Sequence, residues 1–432
     1  MAADYSTAPS SAVKIPEPFR IEIPEQQLGE FKTLLRLSKI PMPTYESTQE
    51  DGRFGISHKW MMEAKRFWEE EFDWRKSEDY INSFPNFIAT VHLPVKKELS
   101  KVHFVALFSH KPDAVPIALF HGWPGSFLEF LPLLTLMKEK YTPQTLPYHL
   151  IVPSLPGYAF SSPPPLTRDF NCTDVSNIMN QLMLDLGFGP SGYLAQGGDL
   201  GSFVARGLST EHEACKAIHV NFYIAPTLTT APEGIPSEPP LSDKEQAGLQ
   251  RGTEFLKTGA AYSMEHGTRP STIGIVLGSS PLALLGWIGE KLLSWTDVPL
   301  SMDEILRSVT LYWFTESMGR GIYQYRTLAM KTNTPYLTKP VGYSYFPGEI
   351  VPTPTAWVKY SLGNVVFHRE HDKNNKSPLL PQFWSCHILN GWLIIATICV
   401  LCGSFQGGHF AAWELPELFM EDVEKFVSVA WK

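Results

Sequence analysis

The chain has 432 residues, of which 44% are hydrophobic and 19% charged, with a net charge of −8 from 36 basic and 44 acidic side chains. That length allows one large domain or two to three average ones around a large buried core, and the composition is that of a soluble globular protein. No basic run stands out, so nucleic-acid binding has no support.

Met1 to Lys14 is polar and rich in Ala and Ser, and lacks the apolar core of a secretory signal. It is expected to be a disordered leader. Residues 15–95 read as a segment that wraps the main domain. The alternation Phe19-Arg20-Ile21-Glu22-Ile23 predicts a short strand, and Pro24 to Lys39 an amphipathic helix carrying Leu28, Phe31, Leu34, Leu35 and Leu37. His58 to Asp73 predicts a second helix, and Trp74 to Phe87 an aromatic-rich crossing. The apolar faces of this segment are too sparse to form a core alone.

From Ile88 the rhythm changes. Ala89–Val95 and Lys101–Phe108 alternate as an antiparallel pair, ahead of the first part of the main domain, residues 96–224. Pro116–Phe120 and Tyr148–Pro153 read as buried strands, and Phe127–Tyr141 and Thr173–Leu186 as helices. A strand over Ala214–Phe222 completes this part. Strands alternating with helices imply an α/β fold, with a mostly parallel sheet covered on both faces. Residues 225–325 form a helical, Pro-rich insertion, its clearest helices at Leu241–Lys257 and Pro281–Ser294. The sheet resumes within residues 326–432, at Pro340–Phe346 and Gly363–Phe367, and Pro416–Trp431 is the last helix.

The densest chemical signal is Tyr193-Leu194-Ala195-Gln196-Gly197-Gly198-Asp199-Leu200-Gly201. A buried strand runs into a helix through the pattern small-x-nucleophile-x-small. The glycines clear space for a sharp turn, which pushes Asp199 out beside a helix N-terminus. A carboxylate there can attack carbon without first losing a proton. The competing reading is an ordinary N-cap Asp after a Gly-rich turn.

His121-Gly122-Trp123-Pro124-Gly125 ends an earlier strand of the same sheet. A turn there aims backbone N–H groups at the nucleophile, so Trp123, Leu200, His121 and Gly122 are the candidate oxyanion and binding positions. Gly407-Gly408-His409, before the last helix, is the expected place for a general base. Glu349, after a strand end, can hold that base's tautomer, with Glu370 and Asp372 as weaker rivals.

These residues resemble the microsomal-type epoxide hydrolases of the α/β-hydrolase superfamily, most closely those of filamentous fungi. The resemblance rests on Phe19-Arg20-Ile21, Pro43-Thr44-Tyr45-Glu46, Ile81 to Phe87, His121 to Phe130, Gly197 to Ser202 and Gly407 to Glu414. It implies that residues 225–325 are a helical lid and that Asp199 is the nucleophile. It further implies Glu349 as the relay acid, His409 as the base, and the lid residues Tyr262 and Tyr325 as proton donors to an epoxide oxygen. No metal or cofactor is implied, and the partner is a small-molecule epoxide. Leu200 stands where many members have Trp. Alternatives are a haloalkane dehalogenase, which would need halide-binding donors in place of the tyrosines, and a binding protein impaired at its base. A homodimer is compatible with such folds.

One stretch breaks the family pattern. Asn374 to Gln406 separates the last strand from Gly407-Gly408-His409, and its centre, Trp392 to Cys402, is almost purely apolar. That centre is too short to span a bilayer, which needs about 20 residues. The stretch is expected to be foreign to the fold, as a retained intron would be, with a membrane-dipping hairpin as the rival reading. Cys399 and Cys402 form a lone CxxC without metal or thioredoxin context. Five cysteines without a framework spacing argue for a reducing, cytoplasmic setting.

Overall fold

Among the described residues, nine strands pair edge to edge: β1 (Glu17–Phe19), β2 (Asn86–Leu93), β3 (Glu98–Leu107), β4 (Val115–Phe120), β5 (Tyr148–Pro153), β6 (Tyr193–Gly197), β7 (Cys215–Val220), β8 (Leu337–Tyr345) and β9 (Gly363–Glu370). Their spatial order is β1-β2-β3-β5-β4-β6-β7-β8-β9. The computed structural model describes residues 4–93, 98–225, 241–328, 336–371 and 407–432. The stretch 374–406, with its CxxC, therefore lies outside the described residues.

β1, β2, β3 and β5 pair antiparallel, and from β5 through β4, β6, β7 and β8 to β9 every pairing is parallel. This is the mostly parallel, doubly covered sheet of the α/β-hydrolase fold. β4 and β5 are buried at every position, as central strands with helices on both faces must be. Side-chain alternation divides β4 between two cores. Ala118 and Phe120 pack into one cluster with Val204 and Leu208, while Ile117 and Leu119 join Leu131, Leu134 and Phe426 on the other face. β4 sits between β5 and β6, so successive connections leave it in opposite directions. The crevice at its carboxyl end is the place where such sheets bind ligands.

The lid region holds only helices among its described residues, including Asp243–Thr258, Ala261–Thr268, Pro281–Ser294 and Met302–Phe314. Ser242 and Ser301 each close a capping box with the Glu three residues on. No single described helix is long and apolar enough to cross a membrane. The last helix, Pro416–Ala430, is fixed to the sheet by a buried polar knot. Asp422 accepts from Ser344 of β8, from Arg369 of β9 at 2.9 Å and from His371 at 2.6 Å.

Two expectations are corrected. The strand expected over Phe19–Ile23 is β1, displaced toward the N-terminus. Ile21 and Ile23 are buried as their alternation requires, but their N–H groups bond side chains, Asn82 Oδ1 at 2.9 Å and Glu78 Oε1 at 2.7 Å. Both acceptors lie on the helix Trp74–Asn82, so a helix replaces the strand partner that the alternation suggested. The leader is not disordered from residue 4 onward. Tyr5 is buried, its hydroxyl bonds Tyr141 O, and its carbonyl accepts from Phe108 N at 3.1 Å. Further along, Val13 N and Lys14 N bond Asp185 O, and Lys14 pairs with the Asp185 carboxylate. The local composition is polar because this stretch borrows its core from elsewhere. Tyr5→Ala is expected to destabilise the fold by about 3 kcal/mol, the usual loss for a buried aromatic. A urea titration reads it, and a disordered leader would leave the midpoint unmoved.

Candidate active site

β6 ends at Gly197, and the helix Asp199–Glu211 begins two residues later. Asp199 itself takes φ +42°, a left-handed conformation uncommon for any residue with a Cβ. The turn closes only because its flanks are bare. A Cβ at Gly197 would stand 2.1 Å from Gly201 O, and one at Gly201 would stand 2.2 Å from Phe120 O. The Asp199 carboxylate therefore emerges against the end of β4, where Trp123 N donates to Oδ1 at 2.8 Å. Leu200 is the second helical residue, and its amide is one of the first N–H groups that the helix cannot satisfy internally.

His409 approaches from the other side. Its Nε2 lies 3.4 Å from Asp199 Oδ2, and its Nδ1 bonds Glu349 Oε1 at 2.7 Å. The shorter contact fixes the tautomer, with Nδ1–H donating to Glu349 and Nε2 facing Asp199. The longer one is an ion-pair contact, and Nε2 makes no hydrogen bond. Burial opposes a charge on His409, but the carboxylates of Glu349 and Asp199 outweigh it and hold the imidazolium well above the usual range. Glu349 lies in the loop after β8 and is itself buried, and Ile350 N donates to its Oε1 at 2.6 Å. Of its rivals, Glu370 sits near Lys244 at 3.7 Å, and Asp372 is outside the described residues.

The helical region expected to be a lid carries two phenols near this group. Tyr262, on the helix Ala261–Thr268, and Tyr325, on the helix Gln324–Leu328, are both buried, with ring centroids 5.9 Å apart. The Trp123 ring stacks on Tyr262 at 5.1 Å and meets Tyr325 edge-on at 6.0 Å. Burial, reinforced by the charge of Asp199, pushes both phenols up, so they stay protonated in water at ordinary pH. The two hydroxyls also act on each other, Tyr325 lowering the pKa of Tyr262 and Tyr262 raising that of Tyr325.

Two family models match the chain, the epoxide hydrolase N terminus over residues 16–130 and the alpha/beta hydrolase fold over residues 115–220. The "Putative epoxide hydrolase" of Dothistroma septosporum is 40% identical over 99% of this chain and 93% of its own length. The chain belongs to the epoxide hydrolase family. The solved epoxide hydrolase of Aspergillus niger superposes with a TM-score of 0.86 at 48% identity, over 99% of this chain and 100% of that one. "Epoxide hydrolase 1" of Sus scrofa is 28% identical over 95% of this chain and 88% of its own length.

Within this epoxide hydrolase scaffold one expected binding residue has a different task. Both ring nitrogens of His121 are engaged by backbone, Nδ1 with Gly122 O at 3.0 Å and Nε2 with Leu155 N at 3.1 Å. Burial lowers its pKa to about 4, so the ring is a neutral staple for the turn and offers nothing to a ligand.

Two supporting residues were not read from sequence. Glu414 collects four amides, with Oε2 accepting from Asp297 N, Val298 N and Gly408 N and Oε1 from Phe410 N, at 2.6 to 3.0 Å. It ties the loop of His409 to the chain that follows the lid helix Pro281–Ser294. Trp295 O adds a bond from His409 N at 2.9 Å. The available signal was a lone acid in the apolar run after Gly407-Gly408-His409. His266, bonded to Trp287 at 2.9 Å, stands edge-on to Trp123, Tyr262 and Tyr325. No sequence pattern marks it.

Gly122 is the sharpest test of the expected role of Asp199, because a Cβ there would lie 2.1 Å from Asp199 Oδ1. Gly122→Ala is expected to lower turnover of styrene oxide by about 10²-fold, the cost of a displacement of roughly 1 Å at a reacting group. Unchanged diol formation would remove Asp199 from the chemistry.

Proposed function

We propose that the enzyme opens its epoxide by forming an ester on Asp199 and then hydrolyses that ester with water activated by His409. One observation carries the reading. Trp123 gives its amide to the Asp199 carboxylate and its ring to both lid tyrosines, so nucleophile and proton donors face one space.

In the first half, an Asp199 oxygen bonds to an epoxide carbon and the ring C–O bond breaks. The freed oxygen takes a phenolic proton from Tyr262 or Tyr325, which their raised pKa values keep available. The pair holds the oxygen as its charge develops. In the second half, esterification has removed the negative charge of Asp199. His409 loses one of the two carboxylates that favoured its charged form, and its affinity for a proton falls when a base is needed. It takes a proton from water, whose oxygen attacks the ester carbonyl. The amides of Trp123 and Leu200 receive the oxyanion.

His409→Gln is expected to slow ester breakdown by roughly 10²–10⁴-fold and leave ester formation in place. Intact-protein mass spectrometry after styrene oxide treatment should show one added substrate, located on the peptide with Asp199. Adduct elsewhere, or none, counts against the reading. The pH dependence follows from the same shifts. The raised pKa of His409 belongs to the state with Asp199 ionised, so ester breakdown should rise with pH and level off at a pKa lower than that of His409 in free enzyme. Rapid-quench single turnovers across pH, beside an NMR titration of the free enzyme, make the comparison.

A further inference from the structure

We propose that a small cavity beside Asp199, which the lid tyrosines do not line, seats the water that hydrolyses the ester, and that Glu129 positions it. The inference rests on the ester mechanism above and adds a residue and a site to it.

The cavity measures about 20 Å³, and Asp199, His409, Trp123, Glu129, Gln196 and Asn221 line it. A water needs at least roughly 10–15 Å³ by that measure, so the space suits one molecule. Three lining residues contribute buried polar atoms without a hydrogen-bond partner, Trp123 Nε1, Glu129 Oε1 and Gln196 Oε1, and a fourth, His409 Nε2, has only its 3.4 Å ion-pair contact with Asp199. Such atoms are uncommon in a folded protein, and three around one water-sized space define a site for a molecule making two to four bonds. Neither lid tyrosine is among the lining residues.

The Glu129 carboxyl meets the backbone of Ser126, while its Oε1 has no hydrogen-bond partner. It is the single acid in Phe127-Leu128-Glu129-Phe130-Leu131, within the buried turn Phe127–Phe130. Burying an acid there destabilises the fold unless something is gained. Space is set aside for it. A Cβ on Gly125 would fall 1.3 Å from Glu129 Oε1, so the carboxyl fills the side-chain position of the turn that carries Trp123. Burial raises its pKa to about 8, with the charge of His409 acting the other way and that of Asp199 adding to the rise. Near neutral pH it is mostly a neutral acid. It can therefore hold water without placing a second negative charge beside the nucleophile.

In the proposed step the water oxygen forms a bond to Cγ of the Asp199 ester as His409 Nε2 takes one of its protons. Collapse of the tetrahedral adduct breaks the bond from Cγ to the alcohol oxygen. That oxygen receives the proton from His409 and leaves as the diol. The phenolate left on the lid is restored by the proton that His409 gives up once Asp199 is esterified, and the remaining proton of the new carboxyl returns to His409, so the cycle ends with Asp199 ionised, His409 charged and both tyrosines protonated. Glu129 exchanges no proton in this sequence and acts by aiming the water.

The test is Glu129→Leu with styrene oxide, followed by rapid quench and intact-protein mass spectrometry. Ester formation should stay within about twofold of wild type, while ester breakdown slows on the order of 10²-fold. kcat and KM should fall together with kcat/KM held, and alkylated enzyme should build up in the steady state. A purely structural role would not separate the two half-reactions in this way. Glu129→Gln keeps an acceptor at the same place and should restore most of the breakdown rate. Gly125→Ala, which pushes the carboxyl aside, should reproduce the defect. The Ser126 backbone also meets the Glu129 carboxyl, so the melting temperature of Glu129→Leu is measured beside the kinetics, and Glu129→Gln keeps that contact. Breakdown at the wild-type rate in Glu129→Leu overturns the proposal. If diol forms while neither Glu129→Leu nor His409→Gln ever carries an ester, the ester mechanism itself is wrong and this proposal falls with it.

Discussion

Everything in the site is placed by the reversal of the chain at Asp199. A non-glycine residue at φ +42° is held at a cost of order 1–3 kcal/mol, and only a rigid surround maintains it. Here the surround is the close approach of the end of β6 to the following helix and of that helix to the end of β4, where Gly197 meets Gly201 O and Gly201 meets Phe120 O with no side chain between. The same approach brings the Trp123 amide within 2.8 Å of the carboxylate. The strain and the alignment are thus one feature, and both depend on the central position of β4 in the sheet.

Local pattern reported local structure well. The run into Asp199 and the helix Pro281–Ser294 were legible because each is decided by residues a few positions apart. Failures came where the partner is distant in sequence. Tyr5 looked like part of a loose polar leader, yet its hydroxyl bonds the carbonyl of residue 141. Ile21 and Ile23 alternated like a strand, but their amides meet Asn82 and Glu78 on a helix.

The site divides in the same way. Asp199 and His409 stand in short glycine-marked strings that announce a turn. Glu349 was found by its order along the chain, and its burial became apparent only in three dimensions. Glu414 and Glu129 are single acids in hydrophobic stretches. Their meaning lies in what surrounds them, four amides for one and a confined space beside the base for the other. Three buried carboxyls thus stand near one imidazole with different tasks. Glu349 supports its charge, Glu414 holds its loop, and Glu129 faces the cavity beside it.

The bonds of Glu414 have a bearing on the geometry of the site. They join the His409 loop to residues 297 and 298, just after the helix Pro281–Ser294, so the two segments share one anchor. Where that helix ends and where the imidazole sits are therefore fixed by the same carboxylate.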